Sequence, residues 1–420
     1  MRSVSFYKLA LSIIIIAGIF LAALCFYNYY FYHYTEIGKL IYQLENSPDA
    51  MDRAETAFKL GDLRENGAVY ALIDALKNDP DVRVRAAAAV TLANIGDKRA
   101  VEPLICALEN DKSGSMLACA QALGILDDDR AMPVLTKTFE YDNNKNVRLT
   151  AAMALNYLGN PIGFDFLVSS LTDEDPVFSG MCAYALEGFN DSRAVVPLIN
   201  MLENTSTESE QAYAVQTLGV IGDCRAAGAI INLLENSGDE FIRSACVLAL
   251  GKFTDERAIA PLIRALENKS GENIGMQAGF ALGRLADIFN SAEAEGALFK
   301  ARENGNWGAA LGLAWSKGGE DIDKAAGMID SKSTFYIQLA RARWGDTAAL
   351  DAIFNEMKYK YLKAYYNDIF SRMPGSFPKY DDHKSYRERK NNMREIKRWF
   401  NANKHRLKWD SSNRKYFIQN

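Results

Sequence analysis

A leucine that recurs every 31 or 32 residues constrains this chain more than any other feature in it. Leu92, Leu123, Leu155, Leu186, Leu218, Leu250 and Leu282 stand at that spacing, and a fixed period of this length marks stacked repeats rather than a single globular core. Three residues after each leucine comes a large apolar residue (Ile95, Leu126, Leu158, Phe189, Ile221, Phe253, Leu285), the i, i+3 spacing of one helix face. Four residues before it the side chain is always small: Ala88, Cys119, Ala151, Cys182, Ala214, Cys246 or Ala278. Small side chains let neighbouring helices approach closely, so these positions predict the buried face of the second helix in a repeated helical hairpin.

Five residues after each leucine stands Asp97, Asp128, Asn160, Asp191, Asp223, Asp255 or Asp287. These residue types accept hydrogen bonds from the free N–H groups of a helix start, so each is expected to open the next first helix. Arg99, Arg130, Arg193, Arg225 and Arg257 follow two positions later. Pro103, Pro133, Pro197 and Pro261 then fall early in the predicted helix, where a missing N–H costs least. Leu60-Gly61-Asp62-Leu63-Arg64 repeats the pattern once more upstream.

Segments such as Asp81-Val82-Arg83-Val84-Arg85-Ala86-Ala87 and Gly96-Asp97-Lys98-Arg99-Ala100-Val101-Glu102-Pro103 resemble HEAT repeats of the phycobilisome-lyase type over about residues 50 to 287. The resemblance implies an all-α, right-handed α-solenoid, the HEAT-like or armadillo-type superhelix. It is specific for fold and unspecific for function. An Arg near the start of the second helix is common in that family; here Arg85, Arg148 and Arg243 keep it, whereas Met116, Ser179, Gln211 and Gly275 depart from it.

Beyond Asp287 the period blurs, though Leu311 to Trp315 and Leu339 to Asp346 still read as second helices. A Pro/Gly loop from Met373 to Asp382 ends the array, and Ser385-Tyr386-Arg387-Glu388 reads as a capping box opening a last helix. Tyr386, Met393, Ile396, Phe400 and Leu407 form its narrow apolar stripe among basic residues, as expected of a terminal cap.

Ahead of the repeats, Leu9 to Phe26 is an 18-residue run without a charge, about 27 Å as a helix and enough to cross a bilayer core. The Tyr- and Phe-rich stretch from Tyr27 to Tyr34 fits an aromatic belt. We read an uncleaved single transmembrane anchor; a cleaved signal peptide, with Leu21-Ala22-Ala23 as its site, is the rival reading. Arg2 and Lys8 precede the span and Lys39 alone closely follows it, so the positive-inside bias predicts a bacterial inner-membrane protein with its body on the periplasmic or extracytoplasmic side. The expected organisation is therefore an anchor over residues 1–34 and about eight HEAT-like hairpins over 35–287. Degenerate hairpins over 288–372 would follow, then a loop, basic capping helix and tail over 373–420.

Charge divides unevenly. Residues 356–420 carry 17 Lys and Arg against 7 Asp and Glu, and the preceding 355 carry 31 against 46. An acidic body argues against a nucleic-acid groove of the kind found in glycosylases of this fold. The basic residues Arg387, Arg389, Lys390, Arg394, Lys397 and Arg398 read as the solvated face of the cap rather than as a lipid or polymer site. The di-iron hydroxylases on this fold need several His-Glu pairs, but His33, His383 and His405 all lie outside the periodic repeats. No catalytic, cofactor-binding or metal residues are assigned, and a small-molecule ligand is not expected. Cys119, Cys182 and Cys246 read as core, Cys106 and Cys224 as exposed. Gly271, Gly275, Gly279 and Gly283 form an i+4 ladder that could admit a partner's backbone but more readily packs a neighbouring helix. The leading expectation is a membrane-tethered scaffold for a protein partner. The alternative, implied only by the repeat subtype, is a lyase-like or chaperone-like subunit that holds a tetrapyrrole carrier protein.

Overall fold

The structure is a computed structural model. It describes residues 35–419 apart from 64–65, 111–113, 206, 269–271, 329–333, 357–368 and 379–385. The predicted anchor Leu9–Phe26 lies outside these residues, and among the described ones no helix is long and apolar enough to cross a membrane. The chain divides between Asn160 and Pro161 into two compact units.

The first unit is four helical hairpins: α1 (Glu36–Asn46) with α2 (Ala50–Leu63), α3 (Asn66–Asn78) with α4 (Val82–Ile95), α5 (Val101–Asn110) with α6 (Met116–Leu126), and α7 (Met132–Tyr141) with α8 (Lys145–Tyr157). Second helices stack on second helices. Leu60, Leu92, Leu123 and Leu155 are fully buried, as are the small residues Ala88, Cys119 and Ala151. A Cβ at Gly124 would lie 2.8 Å from the Cα of Ala154, which measures how near α6 and α8 approach. Arg53 holds the turn after α3 with Nε and Nη2 donating to Asp79 at 2.7 and 2.8 Å. Arg85 donates to the Asp79 carbonyl at 2.8 Å.

The second unit continues the pattern with α9 (Phe164–Ser169), α10 (Pro176–Phe189), α11 (Val195–Asn204), α12 (Glu208–Ile221), α13 (Ala227–Asn236), α14 (Glu240–Leu250), α15 (Ile259–Glu267) and α16 (Glu272–Phe289). Leu186, Leu218, Leu250 and Leu282 are again fully buried, as are Cys182, Ala214, Cys246 and Ala278. Less regular pairs follow, α17 (Ala292–Glu303) with α18 (Trp307–Lys317) and α19 (Glu320–Met328) with α20 (Thr334–Arg343), then α21 (Thr347–Glu356) and α22 (Tyr386–Asn403).

The aspartates open the first helices through an intermediate. Asp97, Asp128, Asp191, Asp223 and Asp255 have extended backbones, and each accepts a hydrogen bond from the N–H of the arginine two residues on. This starts a short 3-10 turn that runs into the α-helix. The preceding residue takes a left-handed conformation in four of these turns (Gly96, Asp127, Asn190, Gly222), the usual way to stop a helix.

Two expectations are corrected. Asp287 caps nothing, because α16 runs on to Phe289 and Ser291 caps α17 by accepting from the Ala294 N–H at 3.2 Å. The left-handed turn falls at Asn290, four residues later than the period predicts. After Asn160 the next first helix, α9, starts four residues on at Phe164, as it does after the aspartates, though without the intervening 3-10 turn. Leu407 is not on the last helix: α22 ends at Asn403, and Leu407–Asp410 pairs antiparallel with Lys415–Ile418 as a β-hairpin, strands β1 and β2.

That hairpin closes the end of the array. The Tyr416 hydroxyl donates to the Ala342 carbonyl, and a Cβ at Gly345 would lie 2.3 Å from the indole of Trp409. The fully buried Arg343 donates to the Trp315 carbonyl at 2.6 Å and pairs with Asp287. The residue expected to cap a helix thus neutralises a guanidinium that burial would otherwise penalise heavily.

Candidate interaction surface

Side chains that point away from the second-helix stack are mostly polar in the first unit, with Met51 and Phe58 on α2 and Leu117 and Ile125 on α6 as exceptions. In the second unit they change character. Val177, Met181 and Tyr184 recur at i, i+4 and i+7 on α10, one exposed face. Tyr213 on α12 stands beside them, its ring centroid 5.7 Å from that of Tyr184. It can lie there because Gly180 has no side chain: a Cβ at that place would sit 3.1 Å from the Tyr213 ring. Phe241 and Leu248 are exposed on α14, the next second helix, at the register positions of Val177 and Tyr184. Val177 keeps 66% and Phe241 71% of their surface exposed, a cluster of large apolar groups in water rather than isolated ones.

The helices beneath are held in register by polar side chains. Ser179 and Thr205 hydroxyls donate to the two oxygens of Glu210. Gln216 donates to Glu187, and Thr217 to the Ala183 carbonyl, both at 2.8 Å. Ser179 and Gln211, two of the places where the common arginine is missing, thus take part in other hydrogen bonds, Gln211 donating to the Thr205 carbonyl at 3.2 Å.

The surroundings of the strip are acidic. Residues 161–252 hold 13 Asp and Glu against 4 Lys and Arg. Arg193 and Arg225 are turned onto Asp191 and Asp223 at 2.7 Å, while Glu174, Asp175, Glu208 and Glu240 are exposed beside the N-terminal ends of α10, α12 and α14. At the opposite ends, Arg225 Nη2 donates to the Ser192 carbonyl at 3.0 Å and Arg257 Nη2 to the Cys224 carbonyl at 3.1 Å. Arg130 does the same in the first unit to Lys98 at 3.3 Å. Each such arginine joins its own turn to the preceding repeat, and its side-chain hydrogen bonds hold the paired aspartate below the usual carboxylate range.

The other features singled out in the sequence fall as follows. Among the described residues no cluster of His, Cys, Asp and Glu is arranged to hold a metal ion; His405 is exposed in the turn before β1, and His33 and His383 lie outside the described residues. Cys119, Cys182 and Cys246 are buried, and burial pushes the Cys246 thiol up to about 12. Cys106 is exposed. Cys224 is only half-exposed, a correction, because its thiol turns to the Thr254 carbonyl at 3.4 Å. The glycine ladder packs a helix, not a partner: a Cβ at Gly283 would lie 2.2 Å from the Gly312 Cα, and one at Gly279 would lie 2.4 Å from the Ala309 nitrogen. Gly271 lies outside the described residues. On α22, Ile396 and Phe400 are buried while Arg394 and Arg398 are exposed; the side chains of Arg387, Arg389 and Lys390 are not among those described. A cleft of about 810 Å³ opens among the end of α15, α16, α17 and the start of α18, with its Lys300 and Glu267 paired to each other at 3.0 Å.

The strip was legible in the repeat register. Val177 and Phe241 stand nine residues before their reference leucines, Met181 and Tyr213 five before, Tyr184 and Leu248 two before. None of these offsets belongs to the buried face, so apolar residues there are conspicuous once the face is assigned.

Helical hairpins stacked second helix on second helix, with a capped turn between repeats, define an all-α solenoid. Residues 37–124, 72–156, 132–209 and 195–283 match the family described as HEAT repeats, and the chain belongs to that family. A search of curated proteins finds no match. Among solved structures, the chain is similar to human deoxyhypusine hydroxylase in complex with glycerol (19% identity over 60% of this chain and 96% of that one, TM-score 0.30). It is similar to the complex of CpcE and CpcF of phycocyanin lyase from Nostoc sp. PCC7120 (22% identity, 64% and 94%, TM-score 0.33). It is also similar to YibA of Escherichia coli (18% identity, 67% and 99%, TM-score 0.43).

Proposed function

We propose that this chain is a membrane-anchored helical-repeat scaffold that holds a protein partner on the exposed second-helix face of α10, α12 and α14 and performs no chemistry itself. The observation that carries this reading is the strip Val177, Met181, Tyr184, Tyr213, Phe241 and Leu248, six large apolar side chains exposed on three successive second helices. Solenoids present such faces to partners, and aromatic and methionine side chains are favoured at the cores of protein interfaces. The tether is the uncharged run Leu9–Phe26, and the positive charges that precede it favour an extracytoplasmic body.

A photo-crosslinking residue placed at Tyr184 or Phe241 in native membranes should give a discrete protein adduct, and one at the first-helix position Asn200 should not. No adduct at either strip position would sink the scaffold reading. A chromophore carried by the purified protein would replace it with the carrier-protein lyase.

A further inference from the structure

We infer that the partner segment this strip holds is a cationic amphipathic helix of another protein; the inference rests on the scaffold reading and names the chemistry of what is held. The charge argument comes first. Residues 161–252 carry a net charge of −9, from 13 acidic and 4 basic residues, and pairing Arg193 and Arg225 with Asp191 and Asp223 leaves that balance unchanged. The helix N-termini beside the strip oppose this with about +0.5 each, roughly +1.5 for α10, α12 and α14, and Asp175 and Asp239 already cap two of them. The carboxylates win. Glu174 and Asp175 precede Val177, Glu208 precedes Tyr213, and Glu240 adjoins Phe241, so carboxylates flank the apolar groups and a partner that covers the strip brings its own charges against them.

The shape of the strip decides the occupant's conformation. Val177 to Tyr184 runs seven residues along one helix, about 10 Å at 1.5 Å per residue. The strip crosses three stacked helices, about 16–20 Å at 8–10 Å per layer. That is the footprint of an apolar stripe on a helix of three to four turns. An extended segment would seek main-chain partners, as it does at a sheet edge, but the host surface here is helical and its backbone groups are bonded within the helices. A helix satisfies its own backbone and needs only the side-chain contact.

The chain's own basic helix does not fill the role. The apolar side chains of α22, Ile396 and Phe400, are buried in its own core, where Phe400 stacks on Phe354 at 4.0 Å.

The test uses the full-length protein in zwitterionic nanodiscs, with empty nanodiscs subtracted. The probes are fluorescent peptides of about 15 residues, roughly four turns: Leu and Lys at amphipathic helical spacing, the same peptide with Glu for Lys, and the Leu/Lys composition scrambled. The amphipathic Leu/Lys peptide should bind saturably and weaken with salt. Phe241→Ser with Leu248→Ser, exposed positions whose retained helicity is checked by circular dichroism, should weaken it about tenfold or more, as should Glu174→Lys with Glu240→Lys. Equal binding of the Glu or scrambled peptide, no binding at all, or indifference to the paired substitutions overturns the inference. So does a concentration-dependent dimer of the protein that Phe241→Ser abolishes, because the occupant is then a second copy. A protein adduct at Phe241 in membranes with failure of the cationic peptide leaves the scaffold standing and removes only the cationic helix.

Discussion

At the scale of the residue, the repeat rests on two kinds of position that fail in opposite ways. Leu218 is fully buried at the centre of its second helix, and truncation leaves a cavity that the flanking helices cannot close. Leu218→Ala should cost about 2–5 kcal/mol by urea melting, and a neutral result would mean that the register is misassigned. Gly283 fails by excess. An added methyl would meet the Gly312 backbone at 2.2 Å, so α16 and α18 must separate, and Gly283→Ala should cost about 1–3 kcal/mol. Gly228, exposed on α13 with open space around its Cβ position, is the control: Gly228→Ala should leave stability unchanged or raise it slightly. Equal effects at the two glycines would contradict the close approach of α16 and α18. The ladder glycines were visible in the sequence, but a missing side chain does not say what occupies its space. Gly312, one hairpin further along the chain, supplies that answer.

At the scale of the element, the turns are electrostatic joints. The arginine in each turn, bonded to the aspartate's side chain, keeps Asp97, Asp191, Asp223 and Asp255 below the usual carboxylate range. A carboxyl whose folded value is depressed adds stability that is fully present above its unfolded value of about 3.9 and is lost as the pH falls toward the folded value. Stability should therefore drop on acidification below about pH 4. Asp223→Asn, which keeps a capping oxygen but cannot form the ion pair, should lose less than the parent between about pH 7 and about pH 3 in urea melts. An acid limb identical to the parent's would mean that the pair contributes nothing. The C-terminal β-hairpin is the other element with a distinct role, for Trp409 covers Gly345 and Tyr416 reaches Ala342. Trp409→Ala should speed hydrogen exchange in α18 and α20 and leave α12 and α14 unchanged; uniform exchange would make the hairpin a bystander. Helical periodicity carried the apolar stripe through Leu407, because a single buried leucine fits either a helix or a strand.

At the scale of the whole molecule, membrane sidedness is the property most easily measured. Cys106 is exposed whereas Cys119, Cys182 and Cys246 are buried, and the burial that lifts the Cys246 thiol to about 12 removes the thiolate that reacts. An impermeant maleimide should label Cys106 without denaturant once any outer envelope is opened, and the three buried thiols only after unfolding. Labelling of Cys106 only after lysis of the inner membrane would place the body in the cytoplasm. The repeat period, the buried leucines, the small-residue slot and the aspartate turns are short-range matters, set within one hairpin and its neighbour, and the sequence by itself determined them. Tertiary structure alone decided two others: Asp287 answering Arg343, and the β-hairpin sealing the last helices. Each depends on groups 56 to 74 residues apart that the period does not relate. Where the repeat weakens, local pattern no longer specifies the partner, and packing and the neutralisation of a buried charge choose it.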